Sequence, residues 1–494
     1  MRPSTSFPRV ALLALVPCLL ASTPDTPVPW PHGAPPTTDA LGAMVSETLT
    51  LSDRERFEEF LEAAEKGEDG EHIQLFQQDI DENNYGLGEL DRLFQFGDSL
   101  FGHEFRSEDG YGASVNPQLQ RVHRGLYGGL DTFSCAGCHS VGGPDGAGSE
   151  TQNALVLGDG EHASSANVRN PPHVLGVGFV QALAAEMTAE LQYERDTALA
   201  SADEKGVPVS LALEAKGISF GHLVAHPDGT LDLSNVEGVG PDLVVRPFGW
   251  KGNVARLRRF AEDAARIHFG IQSQVLCEQH KVYPDPERLG DGPVWFDPDA
   301  DGKYNELFEG ILTASAVYMA MLESPVMIPP YDPGLRDRWA RGSVLFDEAG
   351  CATCHVRSMQ LAFSTWSELP DLTGGPPVKV NLVLDGEKPK SQLVVNLFSD
   401  LKRHDMGPAL ADPHDDPDGI PRSVFLTRPL WGLAESAPFL HDGRAATIPA
   451  AILAHGGEAQ DARDAFAALS PDDQADLHIF LLSLTREPKP RVAR

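Results

Sequence analysis

The sequence contains the pattern Cys-x-x-Cys-His twice, as Cys135, Cys138 and His139 and again as Cys351, Cys354 and His355. Two thiols at this spacing can form thioether bonds to the two vinyl groups of one porphyrin, and the adjacent imidazole can then ligate its iron. A disulfide or a redox dithiol would leave the histidine of each motif unexplained, and a Cys₄ zinc site would have to join two pairs that lie far apart. The pattern therefore predicts two covalently bound haem c groups, with His139 and His355 as iron ligands.

The N-terminus predicts export. Arg2 and Arg9 precede an apolar run that is too short to cross a bilayer, and small residues follow it. Residues 1–22 are therefore interpreted as a signal peptide, and the periplasm is the expected location. No later segment is apolar enough to predict a membrane span, and no role is assigned to Cys277.

The net charge restricts the partners. With 72 acidic and 39 basic residues the formal net charge is −33, which argues against nucleic acid and anionic membranes as partners. An acidic surface favours a basic partner, although it is equally typical of a surface that only confers solubility.

The pattern of apolar residues predicts a mainly α fold with two cytochrome c-like haem domains and long loops. Residues 23–50 read as a Pro-rich linker, residues 51–330 as the N-terminal haem domain with a helical extension, and residues 331–494 as the C-terminal haem domain. In the C-terminal part, one predicted helix leads into Cys351. The last helix begins at Ser470 and Pro471, with Asp473 completing a capping pattern.

The sixth ligand of each haem separates electron transfer from substrate binding. His455 ends an apolar helix, where a histidine can be a stabilising cation at the helix C-terminus. The alternative is that His455 is an iron ligand, and the predicted haem in the same domain favours this alternative. For the haem at His139 the sixth ligand stays open, and each candidate taken alone is typical of a surface or structural residue: His123, His162, His173, His268, His404 and Met406. An open position would allow peroxide to bind.

Three stretches carry a family resemblance: "RPLWGLAESAPFLHDGRAATIPAAILAHGGEA", "FSDLKRHDMGPAL" and "RPFGWKG". They resemble the bacterial di-haem oxidoreductase family, which is similar to the di-haem cytochrome c peroxidases and to MauG. The resemblance covers most of the chain after about Leu90. It implies two c-type haem domains in the periplasm, with peroxide reduced at the N-terminal haem. The C-terminal haem would take electrons from a small cytochrome or copper protein.

The same resemblance also bears on individual residues. At the position of His455 the peroxidases carry Met, and because Met raises haem potential, a His355/His455 haem is expected to be a relay of lower potential. The peroxidases move protons with a Gln and a Glu that follow an Arg-Asn-x-Pro segment. Here Gln181 and Glu186 are the candidates, against the alternative of an ordinary solvated helix face. Trp250 is interpreted as a core residue, with a place between the haems as the alternative.

An acidic loop raises the question of a further metal. Asp297, Asp299 and Asp301, followed by Gly302, match the first positions of an EF-hand loop, but Phe308 stands where Glu is required. Calcium and a plain Asp-Gly turn are both open, and the resemblance favours calcium because related enzymes hold it near their domain junction.

The sequence therefore predicts an exported di-haem peroxidase that uses a small-molecule oxidant and a redox-protein donor. Two alternatives remain: a non-enzymatic di-haem electron carrier, and a MauG-like oxidase of a protein or organic substrate.

Overall fold

A computed structural model describes residues 75, 77, 80, 90–112, 130–139, 153–159, 162–275, 306–372, 374–384 and 392–486. The predicted signal peptide and linker, His123, Cys277 and the acidic loop lie outside these residues. The described part contains nine α-helices: α1 Leu90–Gly102, α2 Cys135–Cys138, α3 Val177–Lys205, α4 Leu257–Ala264, α5 Glu309–Met321, α6 Pro333–Glu348, α7 Ile448–Ala454, α8 Gln460–Ala468 and α9 Pro471–Leu482.

Most of the strands are short and antiparallel. In the described part they are β1 Ala154–Val156, β2 Asn167–Arg169, β3 Val209–Ala215, β4 Ile218–Ala225, β5 Leu231–Asp232, β6 Val326–Met327, β7 Met359–Leu361, β8 Thr365–Glu368, β9 Val378–Asn381, β10 Leu393–Val395, β11 Arg403–Asp405, β12 Val424–Leu426 and β13 Leu484–Thr485. Strands β3, β4 and β5 form one sheet, and the others form the pairs β1–β2, β7–β10, β8–β9, β11–β12 and β6–β13.

One large apolar core joins both halves of the chain. Helices α1, α3 and α5 contribute buried side chains such as Phe96, Leu183 and Val317, and strands β7 to β10 contribute Leu361 and Trp366 to the same cluster. Burial of each such side chain stabilises the fold by about 1.5–3 kcal/mol. The core beside the first Cys-x-x-Cys-His motif is therefore built from both halves of the chain.

A second core lies beneath the second motif, where α6 packs on α9. Both helices begin with a capped proline turn: Asp332 accepts a hydrogen bond from the N–H of Leu335, and Ser470 accepts one from Asp473, as predicted for the last helix. Gly342 permits the close crossing, because a Cβ there would collide with the backbone carbonyl of Asp476. The pair is a rigid base from which α6 leads into Cys351.

The fold differs from the prediction of a mainly α chain with two cytochrome c-like haem domains, and that prediction is wrong. About 41% of the described residues are helical and 16% lie in strands, with no closed sheet among them. Most of the strands have two to four residues, too few for alternation to be recognised. Strands β3 and β4 are longer and do alternate between buried and partly or fully exposed positions, so their signal was present and was missed.

Among the described residues, no helix has the length and apolar content needed to cross a bilayer.

Candidate redox cofactor sites

The first Cys-x-x-Cys-His motif forms the short helix α2 and the residue after it. The Ser134 hydroxyl accepts a hydrogen bond of 3.0 Å from the N–H of Gly137, and the N–H of His139 donates to the Cys135 carbonyl at 3.0 Å. Cys135, Cys138 and His139 all line the same cavity. Both cysteines are free of disulfide bonds.

His139 is held as a neutral ligand. Its Nδ1 lies 2.8 Å from the carbonyl of Pro172, so the ring donates through Nδ1 and keeps a lone pair on Nε2. Burial lowers the pKa of His139 to about 4, and the imidazole is therefore neutral at pH 7. A carbonyl that fixes the tautomer in this way is the usual support of a metal-ligating histidine.

His139 and its two cysteines line a cavity of about 1190 Å³, called cavity 1. Its walls carry apolar side chains such as Phe101, Val177 and Leu312. The volume exceeds the range typical of small-molecule pockets, so the cavity is large enough for a group of the size of haem.

The second motif follows α6 through Gly350, which has a φ of 82° that suits glycine. His355 repeats the arrangement of His139: its Nδ1 lies 3.1 Å from the carbonyl of Phe398, and burial lowers its pKa to about 4. Cys351, Cys354 and His355 line a second cavity of about 670 Å³, called cavity 2.

His455 lies in the wall of cavity 2 together with His355. Thr447 caps helix α7, and His455 follows its last residue with Nδ1 at 2.8 Å from the carbonyl of Ala451. Burial lowers its pKa, and Nε2 has no hydrogen bond among the described residues. Among the histidines that line cavity 2, His355 and His455 are thus two neutral imidazoles whose Nε2 has no hydrogen bond among the described residues and could ligate iron.

The other histidine candidates differ in the use of their ring nitrogens. His173 uses both, since Nε2 bonds to the Trp431 carbonyl and Nδ1 accepts from the N–H of Leu175. His162 is exposed and pairs with Asp159. Neither arrangement leaves a buried nitrogen free for iron.

His404 is held between two carboxylates. Its Nε2 lies 2.8 Å from Asp400 and its Nδ1 lies 2.7 Å from Glu458. Burial would lower the pKa of His404, but hydrogen bonding to Asp400 outweighs burial and raises that pKa to about 11. A protonated imidazole cannot ligate iron. Cys354, Asp400 and His404 also lie close enough to hold a metal ion, but Cys354 is part of the second motif. Met406 lies in cavity 2, whereas His139 lines cavity 1.

His268 lines cavity 1 together with His139, as do His173 and His404. Its Nδ1 lies 2.9 and 3.1 Å from the two carboxylate oxygens of Asp131, and its Nε2 has no hydrogen bond among the described residues. Burial lowers the pKa of His268, but the Asp131 carboxylate outweighs it and the net pKa is raised. The pair is a carboxylate-oriented imidazole beside the first haem motif.

Gln181 and Glu186 both make hydrogen bonds that support α3. The Gln181 amide oxygen accepts from the N–H of Leu257, and the Glu186 carboxylate accepts from the N–H groups of Ala362 and Phe363 and pairs with Lys216. The structure thus places both residues in backbone-supporting contacts and does not bring them to His139.

Several residues line both cavities, among them Asn170, Phe248, Trp250 and Arg428. The Trp250 indole N–H donates to the Asn170 carbonyl at 2.8 Å, and the Arg428 guanidinium lies 5.5 Å from the centre of the Trp250 ring. A single layer of side chains therefore separates cavity 1 from cavity 2, and Trp250 belongs to it.

A family model matches the C-terminal part of the chain. Residues 329–484 match the family described as "Di-haem oxidoreductase, putative peroxidase". Over these residues the chain is similar to the di-haem oxidoreductase family. The match includes the second Cys-x-x-Cys-His motif and His455, and it confirms the resemblance noted in the sequence. The family name implies haem as the cofactor, and both cavities fit that group: each joins two thiols, a carbonyl-oriented neutral imidazole and apolar walls.

Two solved structures are similar to the chain. Hydrazine synthase of Kuenenia stuttgartiensis has 14% sequence identity and a TM-score of 0.36, and the similarity covers 97% of this chain and 100% of that one. A MauG-like protein associated with microbial copper homeostasis has 19% identity and a TM-score of 0.27, over 53% of this chain and 77% of its own. No curated protein matches the sequence.

Proposed function

We propose that the protein is an exported di-haem c-type oxidoreductase that reduces hydrogen peroxide to water. Two electrons and two protons are consumed for each peroxide, and two water molecules are formed. Haem c, attached through Cys135 and Cys138 and through Cys351 and Cys354, supplies the iron and stores the electrons when it is bound.

The arrangement of His268, which lines cavity 1, and Asp131, whose carboxylate holds its Nδ1, carries this proposal. Peroxide reduction needs a group that takes a proton from the inner oxygen and returns it to the departing one. His268 presents a free Nε2 to cavity 1 while Asp131 fixes its Nδ1, which is the geometry of an oriented acid–base imidazole. His268 therefore replaces Gln181 and Glu186 as the proton-transfer candidate.

The pair His355 and His455 supports a division of labour between the sites. If both imidazoles fill the axial positions in cavity 2, no position is left for peroxide there. Two histidines also give a lower potential than histidine with methionine, which suits a relay of electrons toward cavity 1. The layer of shared side chains provides a short path between the two sites.

The electron donor is proposed to be a small basic redox protein, a cytochrome or a copper protein. The net charge of −33 supports this, because an acidic surface speeds encounter with a basic partner. The N-terminal signal pattern supports a periplasmic location, where such donors are found.

Peroxide reduction by the His268→Gln variant tests the proposal. The rate of peroxide consumption by the reduced holoprotein should fall by about 10²–10⁴-fold. His162→Gln is a matched control, because His162 also pairs with an aspartate but has 68% of its side chain exposed. Equal rates in both variants would refute the role of His268.

Electron paramagnetic resonance of the holoprotein distinguishes an enzyme from a carrier. A high-spin ferric signal that disappears on addition of peroxide is expected for the haem in cavity 1. Two low-spin signals in both the oxidised and the half-reduced protein, with no peroxide consumption, would show a carrier.

A further inference from the structure

Arg428 occupies an unusual position for a cation. It follows strand β12 by two residues, is partly buried, and lines both cavity 1 and cavity 2. Its guanidinium is near enough to His139 and His173 for its charge to affect both imidazoles. The side chain therefore points into the region where two cofactors would approach each other.

No acid compensates this charge in the described part of the chain. The other buried cations nearby are paired: Arg169 with Asp412 at 2.8 Å and Lys251 with the same carboxylate at 3.1 Å. Arg428 has no hydrogen bond or ion pair among the described residues, and its guanidinium lies over the face of Trp250. Burial alone acts on it and lowers its pKa to about 10, so it remains charged at pH 7.

An uncompensated cation beside a cavity is costly unless a ligand supplies the counter-charge. Arginine is the residue that best matches a planar carboxylate, because its guanidinium can donate two parallel hydrogen bonds. Haem carries two propionate carboxylates, and a haem in either cavity would bring these anions into a cavity that Arg428 lines.

We infer that Arg428 is a haem-propionate binding residue at the wall between the two cavities. The inference rests on one part of the proposed function, namely that the protein binds haem. The propionate can come from the haem at His139, from the haem at His355, or from both. In each case the protein supplies the guanidinium of the pair and the haem supplies the carboxylate.

Redox titration of the holoprotein, followed by optical spectra of the two haems, tests this inference. In Arg428→Met an unpaired propionate would stabilise ferric iron, so the midpoint potential of at least one haem should fall and become pH-dependent as the propionate titrates. Arg428→Lys keeps the charge and should recover at least half of the shift. The haem whose potential moves identifies the source of the propionate.

Arg195→Met is the matched control, because Arg195 lies on α3 and pairs only with Asp196. The inference is overturned if neither haem potential in Arg428→Met moves further than in this control, with two haems per chain confirmed by the pyridine haemochrome assay. It is also overturned if Arg428→Lys shifts as far as Arg428→Met.

A structure of the wild-type holoprotein gives a second test that needs no variant and covers the case in which Arg428→Met does not fold. A guanidinium nitrogen within about 3 Å of a propionate oxygen is expected. The inference would be overturned if a full layer of other side chains separated the Arg428 guanidinium from every haem propionate. Neither test uses peroxide, so the inference and the proposed peroxidase activity can fail independently.

Discussion

Replacement of Asp412 by Asn should destabilise the wall between the two cavities. Only 1% of the Asp412 side chain is exposed. The carboxylate accepts two hydrogen bonds of 2.8 Å from Arg169 and lies 3.1 Å from the ammonium of Lys251, which is itself only 2% exposed. It also lies 3.6 Å from Nε2 of His441, whose ring packs at the edge of Trp250.

The amide would leave two buried cations without their anion. Breaking a buried pair by removing one partner costs about 3–5 kcal/mol. In a large domain this corresponds to a fall in Tm of about 6–20 °C. The expected loss is large because Lys251 has only backbone carbonyls left as acceptors, those of Pro421, Arg422 and Val424.

Thermal unfolding of the holoprotein, followed by circular dichroism, measures this difference. Asp415→Asn is the control: it makes the same change in the same loop, but Asp415 is 92% exposed and lies 3.4 Å from an exposed Arg422. Surface pairs of this kind contribute about 0–1 kcal/mol. If Asp412→Asn lowers Tm no more than Asp415→Asn does, the reasoning is refuted.

The pH dependence provides a second signature of the same pair. Burial would raise the pKa of Asp412, but the hydrogen bonds and charges of Arg169 and Lys251 outweigh it and lower that pKa. The carboxylate therefore contributes stability above its ordinary pKa of about 3.9, and the contribution is lost as the pH falls through the lower folded value. The Tm difference between wild type and Asp412→Asn should shrink over that acidic range and be constant near pH 7.

Three further predictions concern the sites themselves. His455→Ala should convert one haem from low spin to high spin, whereas His478→Ala should leave the optical spectrum unchanged; a low-spin spectrum in His455→Ala would exclude His455 as the ligand. Asp131→Asn removes the charge that raises the pKa of His268 against the effect of burial. The ionisation seen in the pH profile of peroxide reduction should therefore move to lower pH. A profile that does not move would contradict the pairing of His268 with Asp131. Glu186→Gln should lower the free energy of unfolding by about 1–3 kcal/mol, because two backbone N–H groups lose a charged acceptor. The rate of peroxide reduction per haem should be retained. Loss of that rate in a variant that remains stable would instead support a catalytic Glu186.

The parts of the sites that the sequence predicts are local. Each Cys-x-x-Cys-His motif contains its own ligand and thiols within five residues, and the structure places His455 in the cavity of the second motif. The supporting groups are distant: Pro172 lies 33 residues from His139, and Phe398 lies 43 residues from His355. No spacing rule connects such pairs, so the carbonyls that set the tautomers could not be predicted.

The same limit applies to His268. It was one of six candidates, and its partner Asp131 is 137 residues away, so only the fold could distinguish it from the others. Gln181 and Glu186 are candidates through the family resemblance, and the backbone groups that hydrogen-bond to them come from residues 257, 362 and 363, which the sequence does not connect to them. The mainly α prediction failed because short strands around a cavity carry little periodic signal.

The thinness of the wall between the cavities has a kinetic consequence. Where one side chain such as Trp250 touches both cavities, electrons can tunnel from one occupant to the other without a chain of intermediate carriers. If haems bound in both cavities are separated only by such shared residues, electron transfer between them would be faster than a step that waits for diffusion. The turnover of such a protein would then be timed from outside, by how often a donor arrives at the surface and how quickly water leaves.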